Sequence, residues 1–367
     1  MRRSPYKYND IISIENICLA WREFIIGKKS KEDVLIFARD LMDNIVELHE
    51  SLVNKSYNHG GYKSFYINDP KRRHIHKATV RDRLLHRAVY RILYPFFDKT
   101  FISDSYSCRN DKGTHKAINR FRSLANQVSK NHTRTCWILK CDVRKFFASI
   151  DHEILLKILD QYIPDKDIMW LLENIIESFY AVDINCHSHN NGNPDNCRLD
   201  SRLGGNDKLI GLPLGNLTSQ LFANIYMNVF DQWVKHHLTK PHPYPPLLGE
   251  RQREGYIRYA DDFVFLSQDK NWLKSITPRI QEFLQINLKL SLHPNKLFLK
   301  TIASGMDFLG WVNFPEHRLL RNTTKQRMLR NIRSSTGEAG FQSYLGLISH
   351  GNTVKLREQV ISEYWLW

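Results

Sequence analysis

The chain has 367 residues, 42% of them hydrophobic, enough to bury a sizeable core rather than to remain disordered. Its 53 Lys and Arg against 38 Asp and Glu give a formal charge of +15, which favours a polyanionic partner. No apolar stretch approaches the length of a membrane span and the Arg2-Arg3 start lacks a signal-peptide core, so a cytoplasmic protein without membrane contact is expected.

Residues 1–55 read as a helical extension. The apolar runs Ile11 to Ile26 and Val34 to Leu52 predict two helices, joined by a basic turn at Gly27 to Lys31. A basic segment follows, Lys71-Arg72-Arg73 and Lys77 to Arg83, ahead of another helix. Such cations either grip phosphates through charge-assisted bonds or lie solvated on the surface. Six cysteines, Cys18, Cys108, Cys136, Cys141, Cys186 and Cys197, show no paired spacing, which predicts reduced thiols.

Residues 136–142 alternate as a strand, with Trp137, Leu139 and Cys141 on one face and Ile138, Lys140 and Asp142 on the other. Asp142 then falls at the strand's end. Phe146 and Phe147 come next, Phe146 being the core residue if the alternation persists. From about Asp183 to Lys208 the composition is polar and predicts a loop insertion. Within it, Cys186, His187, His189 and Cys197 are possible zinc ligands, but their spacing matches no familiar zinc module and their Asn, Gly and Asp neighbours point to a flexible segment. Gly211 to Gln220 is a small-residue loop that opens into a helix, because Leu217, Leu221, Ile225 and Val229 recur every four residues. Gly215 would let the backbone approach a nucleobase closely. Thr239 to Pro246 is a stiff proline-rich connector.

Tyr256-Ile-Arg-Tyr-Ala-Asp261-Asp262-Phe-Val-Phe-Leu266 reads as a hairpin with two carboxylates at its tip, a poor arrangement unless a cation sits there. If the 136–142 strand pairs with this hairpin, Asp142, Asp261 and Asp262 converge on one spot. Two Mg²⁺ ions roughly 4 Å apart on such oxygens would activate a 3′-hydroxyl and bind a departing pyrophosphate. Asp142 and Asp261 are the expected direct ligands, with Asp262 in support. Lys296 is either exposed or a general acid for the pyrophosphate. Phe308-Leu309-Gly310-Trp311 predicts a tight turn between strands, whose Gly allows close approach to a sugar-phosphate. From Arg318 to Arg333 there are Arg318, Arg321, Lys325, Arg327, Arg330 and Arg333 and no acid, with Thr323 and Thr324 as helix caps and a basic face suited to duplex phosphates or to solvent. Ser343 to Gly346 and a helix over Val354 to Trp367 would complete a C-terminal lobe with this basic stretch.

Taken together, these segments resemble the reverse transcriptases, and within them the enzymes of diversity-generating retroelements. The resemblance runs through Asp82-Arg83 to Arg91, Asp104 to His115, the Asp142 segment, Gly-Leu-Pro-Leu-Gly-Asn-Leu-Thr-Ser-Gln, Tyr-Ala-Asp-Asp, Phe308-Leu309-Gly310 and the Arg318–Arg333 stretch. It implies an α+β right-hand polymerase: fingers at 56–135, a palm of antiparallel sheet with helices on one face at 136–314, and a short helical thumb at 315–367. It assigns Asp142, Asp261 and Asp262 to catalysis and metal to Asp142, Val143 and Asp261. The incoming nucleotide goes to Arg73, with Lys71 and Arg81 as further candidates, to Phe147 as a gate against the 2′-hydroxyl, and to Leu214, Gly215 and Gln220. Phe308, Leu309 and Gly310 become the primer grip.

Most reverse transcriptases carry Gln before the loop Gly and Pro after its Ser; here Leu214 and Gln220 stand there. An apolar Leu214 removes a polar constraint on pairing geometry, or else simply packs. The implied function is error-prone copying of a template RNA into cDNA, chiefly at template adenines, with Mg²⁺ or Mn²⁺ and dNTPs and with a small helical accessory protein, homo-oligomeric in the family. A retron-type or phage-defence reverse transcriptase, and an inactive RNA-binding scaffold, remain the alternatives.

Overall fold

The computed structural model describes residues 3–68, 72–179, 209–238, 254–334 and 337–365. In chain order the elements are α1 (Tyr8–Ile12), α2 (Ile14–Phe24), α3 (Glu32–Arg39), α4 (Leu41–Val53), β1 (Tyr62–Ile67), β2 (Arg73–Ala78), α5 (Val80–Asp98), α6 (Thr114–Val128), β3 (Trp137–Asp142), α7 (His152–Tyr162), α8 (Lys166–Glu177), α9 (Leu217–Trp233), β4 (Gly255–Tyr259), β5 (Asp262–Ser267), α10 (Lys270–Leu288), β6 (Phe298–Thr301), β7 (Met306–Phe308), β8 (Trp311–Asn313), β9 (Arg318–Leu320), α11 (Asn322–Arg333), α12 (Glu338–Ile348) and α13 (Val354–Trp365). This is the α+β class that the sequence predicts.

The chain forms two compact units. The first comprises Met1–Phe101, Arg144–Phe230 and Leu284–Leu290. The two long helices expected in its first 55 residues are four. Ser13 interrupts the first run by capping α2, its side chain accepting from the Asn16 N–H. Asp40, at φ −113° and ψ 42°, interrupts the second. Buried Asn16 ties α2 to α5, donating from Nδ2 to the carbonyls of Ile11 at 2.8 Å and Ala88 at 3.2 Å. Helix α5 begins at Thr79, whose hydroxyl accepts from the Asp82 N–H, and fully buried Asp82 in turn accepts from Tyr57 Oη at 2.8 Å and the Gly60 N–H at 3.1 Å. A buried carboxylate so surrounded by donors is satisfied, which places Asp82 in structure rather than chemistry.

The second unit comprises Ile102–Val143, Asp231–Phe283 and Ser291–Trp367. Its main sheet has the order β4-β5-β3-β6, every pair antiparallel. Helix α6 lays Ala117, Phe121, Leu124, Ala125 and Val128 against Ile138, Ile257, Val264 and Leu266 of that sheet, so the strands are apolar where the helix covers them. A smaller sheet, β7-β8-β9, leads into α11, α12 and α13, which pack around Trp311, Met328, Ile332, Phe341 and Ile348. Thr323 and Thr324 are not the cap of α11: its N-cap is Arg321, with no side-chain cap bond, and the threonines lie within the first turn. Cys18, Cys108, Cys136 and Cys141 are free thiols, as expected. Lys71, the 183–208 insertion with Cys186, His187, His189 and Cys197, and the proline-rich connector lie outside the described residues.

Candidate active site

The hairpin reverses between β4 and β5 through Ala260 and Asp261, with Tyr259 opposite Asp262. Ala260 adopts a left-handed φ of 55°, a conformation that costs a non-glycine residue about 1–2 kcal/mol. Arg258 holds it there. The Arg258 Nη1 donates to the Ala260 carbonyl at 3.0 Å, while Nε and Nη2 meet both oxygens of Asp231, at the end of α9, at 2.8 and 2.6 Å. Tyr256 Oη donates to Asp231 Oδ1 at 2.7 Å and Arg258 Nη2 to Ser105 Oγ at 3.0 Å. Arg258 and Asp231 are both fully buried. Burial alone would lower the guanidinium pKa, but Asp231 outweighs it and holds Arg258 above its ordinary value. Sequence reading misses this pair, although an Arg inside an otherwise apolar strand is the available signal.

Asp142, the last residue of β3, stands directly opposite Asp262 in β5, and the Val143 N–H donates to the Asp261 carbonyl at 3.2 Å. The strand pairing predicted between remote segments therefore exists, and all three carboxylates share one end of the sheet. Their side chains are not gathered on one point: among the described residues no three His, Cys, Asp or Glu side chains group closely enough to hold an ion as they stand. Lysines draw two of them apart. Lys296 Nζ lies 2.8 Å from Asp142 Oδ1, and Lys140 Nζ lies 3.1 Å from Asp262 Oδ2 while donating to the Asp307 carbonyl at 3.0 Å.

The donor set fits a hard divalent cation on two grounds. Among the described residues, Asp262 Oδ1 is buried and accepts no hydrogen bond. Its carboxyl pKa is pushed up to about 6, first by burial, against Lys140, with Asp142 and Asp261 adding repulsion. Concentrated, under-neutralised carboxylate oxygen is what such an ion relieves.

In the first unit another group of predicted residues is assembled. The loop after Gly211 is zipped to the segment after Asp142: the Leu212 N–H donates to the Phe147 carbonyl at 2.7 Å and the Gly211 N–H to that of Ile150 at 2.8 Å. It also lies alongside β2, since the His76 N–H donates to the Leu214 carbonyl at 3.0 Å and Asn216 Nδ2 to the His76 carbonyl at 3.0 Å. Phe146 is buried and Phe147 half-buried, so the core and surface roles divide as expected. Arg73 is exposed at the start of β2, and Gln220 is half-buried in the first turn of α9. Arg81 is engaged elsewhere: it donates to the Asn58 carbonyl at 3.2 Å and Ser51 Oγ at 3.0 Å and lies over Tyr57. Gly215 has φ 111°, and a Cβ there would sit 2.9 Å from Ile75 Cγ2. Gly215→Ala is therefore expected to destabilise the protein by more than about 1 kcal/mol, read from the denaturant midpoint. An unchanged midpoint would show that the loop relaxes freely.

The turn between β7 and β8 is the tight one predicted, with Leu309 at φ 53° and Gly310 at φ 88°. Both central residues are left-handed, as the twist of a two-residue hairpin requires. Phe308 is fully buried in the core under the sheet, so only Leu309 and Gly310 of the expected grip are accessible. Of the basic stretch, Arg321 is ion-paired with Asp307, Arg333 with Glu363 at 2.7 Å, and Arg318 donates to Asn119 Oδ1 at 2.9 Å. Lys325 is half-buried, Arg327 half-buried and Arg330 exposed, on a helix whose Met328, Leu329 and Ile332 face inward.

Residues 63–312 match the family profile described as reverse transcriptase (RNA-dependent DNA polymerase). Over 307 residues the chain is 26% identical to Protein YkfC of Escherichia coli strain K12, covering 78% of this chain and 73% of that protein. It is 22% identical over 324 residues to the group II intron-encoded protein LtrA of Lactococcus lactis subsp. cremoris, covering 73% of this chain and 49% of LtrA. The putative COX1/OXI3 intron 1 protein of Saccharomyces cerevisiae is 22% identical over 324 residues, covering 77% of this chain and 34% of that one. The chain thus spans half or less of the two intron proteins.

Proposed function

The chain belongs to the reverse transcriptase family of RNA-directed DNA polymerases, and from that membership we propose that it copies a template RNA into cDNA with frequent misincorporation opposite template adenines, as in mutagenic retrohoming by a diversity-generating retroelement. The catalytic half of this reading is carried by one observation, the register that sets Asp142 opposite Asp262 beside the Asp261 turn. The family uses divalent metal ions; Asp142, Asp261 and the backbone of Val143 would hold two, Mg²⁺ or Mn²⁺, with Asp262 in support. Such ions supply Lewis acidity to the attacking 3′-hydroxyl and to the leaving pyrophosphate.

The chain's own groups do the rest. Lys296, a mobile ammonium already beside Asp142, donates the proton that the leaving pyrophosphate needs. Arg73, with Lys71, grips the triphosphate, Phe147 excludes a 2′-hydroxyl, and Leu214, Gly215 and Gln220 flank the nascent base pair. Leu309 and Gly310 hold the primer end, and the cations of α11 track duplex phosphates. The lobes are fingers at 56–135, palm at 136–314 and thumb at 315–367. An accessory helical protein and a structured RNA are the partners of this reading. No helix among the described residues is long and apolar enough to cross a membrane.

Infidelity is supported by Leu214, whose apolar side chain stands where a polar one would constrain pairing. The experiment is sequencing of cDNA made on a defined RNA. Wild type should misincorporate mainly opposite adenine, and Leu214→Gln should reduce those errors by roughly tenfold, the worth of one hydrogen bond. Identical error spectra would remove Leu214 from the account. The similarity to the intron-encoded LtrA favours a second reading, faithful reverse transcription in an intron-like or retron-type system, and a uniformly low error rate in wild-type cDNA would select it.

A further inference from the structure

Between Asp111 and Asp142 the chain carries seven Lys and Arg and no acidic residue. This stretch is α6, the turn after it and β3. The inner side of α6 is spent on the sheet core, and its outer side presents a polar groove of about 490 Å³ lined by Asn119, Arg122, Ser123, Asn126, Gln127 and Asn131. Among the described residues no apolar side chain lines it. The turn that closes it is unusual, because Lys130, Asn131 and His132 are all left-handed, at φ 50°, 54° and 68°. The turn is held in place by the Asn131 N–H donating to the Asn126 carbonyl at 2.8 Å, the Arg134 N–H to the Ser129 carbonyl at 2.8 Å and the His132 N–H to Ser129 Oγ at 3.0 Å. Lys130, Asn131 and Arg134 are exposed at its tip.

The groove is at the wrong end of the sheet to be the catalytic channel. Thr114, at the start of α6, hydrogen-bonds Tyr259 Oη at 3.1 Å, next to the carboxylate turn. Val128, at its other end, accepts from Gln268 just past the end of β5 at 2.6 Å. The helix thus runs the length of β5, and the turn lies about 20 Å from the carboxylates.

We propose that this outer face, through Arg122, Asn126, Gln127, Lys130, Asn131 and Arg134, docks a folded element of RNA away from the catalytic turn. The proposal rests on the reverse transcriptase reading and deepens it by adding a second RNA contact. Cations on a rigid turn fix phosphates, and side-chain amides, each both donor and acceptor, read 2′-hydroxyls and unpaired base edges. A protein partner would need an apolar anchor, which the groove does not offer. Asn126 supplies a buried Oδ1 with no hydrogen-bond partner among the described residues. Arg122 also stands close enough to Arg318 that, after burial, it helps to lower the Arg318 pKa, a pairing of cations that an anion relieves. Arg122 itself is anchored by the Glu316 carbonyl at 3.0 Å, which leaves its charge unneutralised by that contact.

The test uses the full chain and two probes: a long transcript of mixed sequence that folds into helices and loops, and a short RNA template annealed to a DNA primer. The triple variant Arg122→Gln/Lys130→Gln/Arg134→Gln should bind the transcript roughly 10- to 100-fold more weakly at moderate salt, with the slope of log affinity against log salt shallower by about 2 to 3. Its melting temperature and its extension of the short primer should match wild type. Asn126→Ala/Gln127→Ala should lose the preference for transcript over duplex DNA with the salt slope kept. Unchanged transcript affinity in the triple variant, or duplex DNA displacing the transcript from wild type as well as RNA does, would overturn the proposal. So would a parallel loss of short-primer extension, since the surface would then belong to the catalytic path. Failure of wild type to extend the short primer strikes the polymerase reading instead, and is separately visible.

Discussion

Arg258→Met is expected to cost about 3–5 kcal/mol of stability, because it leaves the Asp231 carboxylate buried without its cation. The same change frees the Ala260 carbonyl and so loosens the left-handed residue before Asp261. Arg258→Lys keeps the charge but loses the two-pronged contact with Asp231, and should fall between wild type and the methionine variant. Removing the whole pair separates the terms: in Arg258→Met/Asp231→Leu no buried charge is stranded, so most of the lost stability should return. Synthesis should not return with it, since the turn has still lost its anchor. Urea unfolding curves of the three variants read the first effect and primer extension reads the second. A single-variant loss below about 1 kcal/mol would mean that water reaches Asp231 and that the network is not what holds the turn.

Asp142→Asn and Asp261→Asn should each reduce RNA-templated synthesis by on the order of a thousandfold or more, the scale of removing one charge-stabilising ligand from a metal-assisted phosphoryl transfer. Both substitutions are near-isosteric, and Asp142 sits at a strand end whose backbone bonds are unaffected, so the melting temperature should hold. Asp262→Asn should cost less. Its carboxylate is bound by Lys140 and carries a raised pKa, so at neutral pH the amide removes an unfavourable buried charge as well as a supporting oxygen. Equal losses in all three variants would argue that the carboxylates act as one undifferentiated cluster. Full activity in the Asp142 or Asp261 variant would remove that residue from the site.

Local patterns make the carboxylate hairpin and its partner strand legible in the amino-acid sequence. Alternation over 136–142 and 256–266 marks the strands, and adjacent carboxylates mark a turn that only a cation makes tolerable. The 309–310 turn and the loop opening into α9 are readable for the same reason, since glycine and spacing act within a few residues. What stays hidden depends on tertiary contact. Nothing near Arg258 in the sequence announces Asp231, twenty-seven positions earlier, and only the folded sheet brings them together. Phe308 reads as part of a grip and is core, because burial of a three-residue strand is decided by what packs over it. The caps expected at Thr323 and Thr324 miss by two and three residues, since α11 starts where the backbone leaves β9 and not where the better capping side chain stands. Arg81 shows the converse: its charge suggests phosphate, while its neighbours use it to hold α5 against residues 51–58.

Asp142 and Asp261 are expected to hold a divalent ion between β3 and the 260–261 turn. Iron-directed cleavage tests it most directly: Fe²⁺ substituted for Mg²⁺, with ascorbate and peroxide, cuts the backbone beside its ligands. The expected fragments end near residue 142 and near residue 261, fade as Mg²⁺ is added, and are absent in Asp261→Asn. Cleavage confined to other segments, or cuts at these two that persist in Asp261→Asn, would contradict the account.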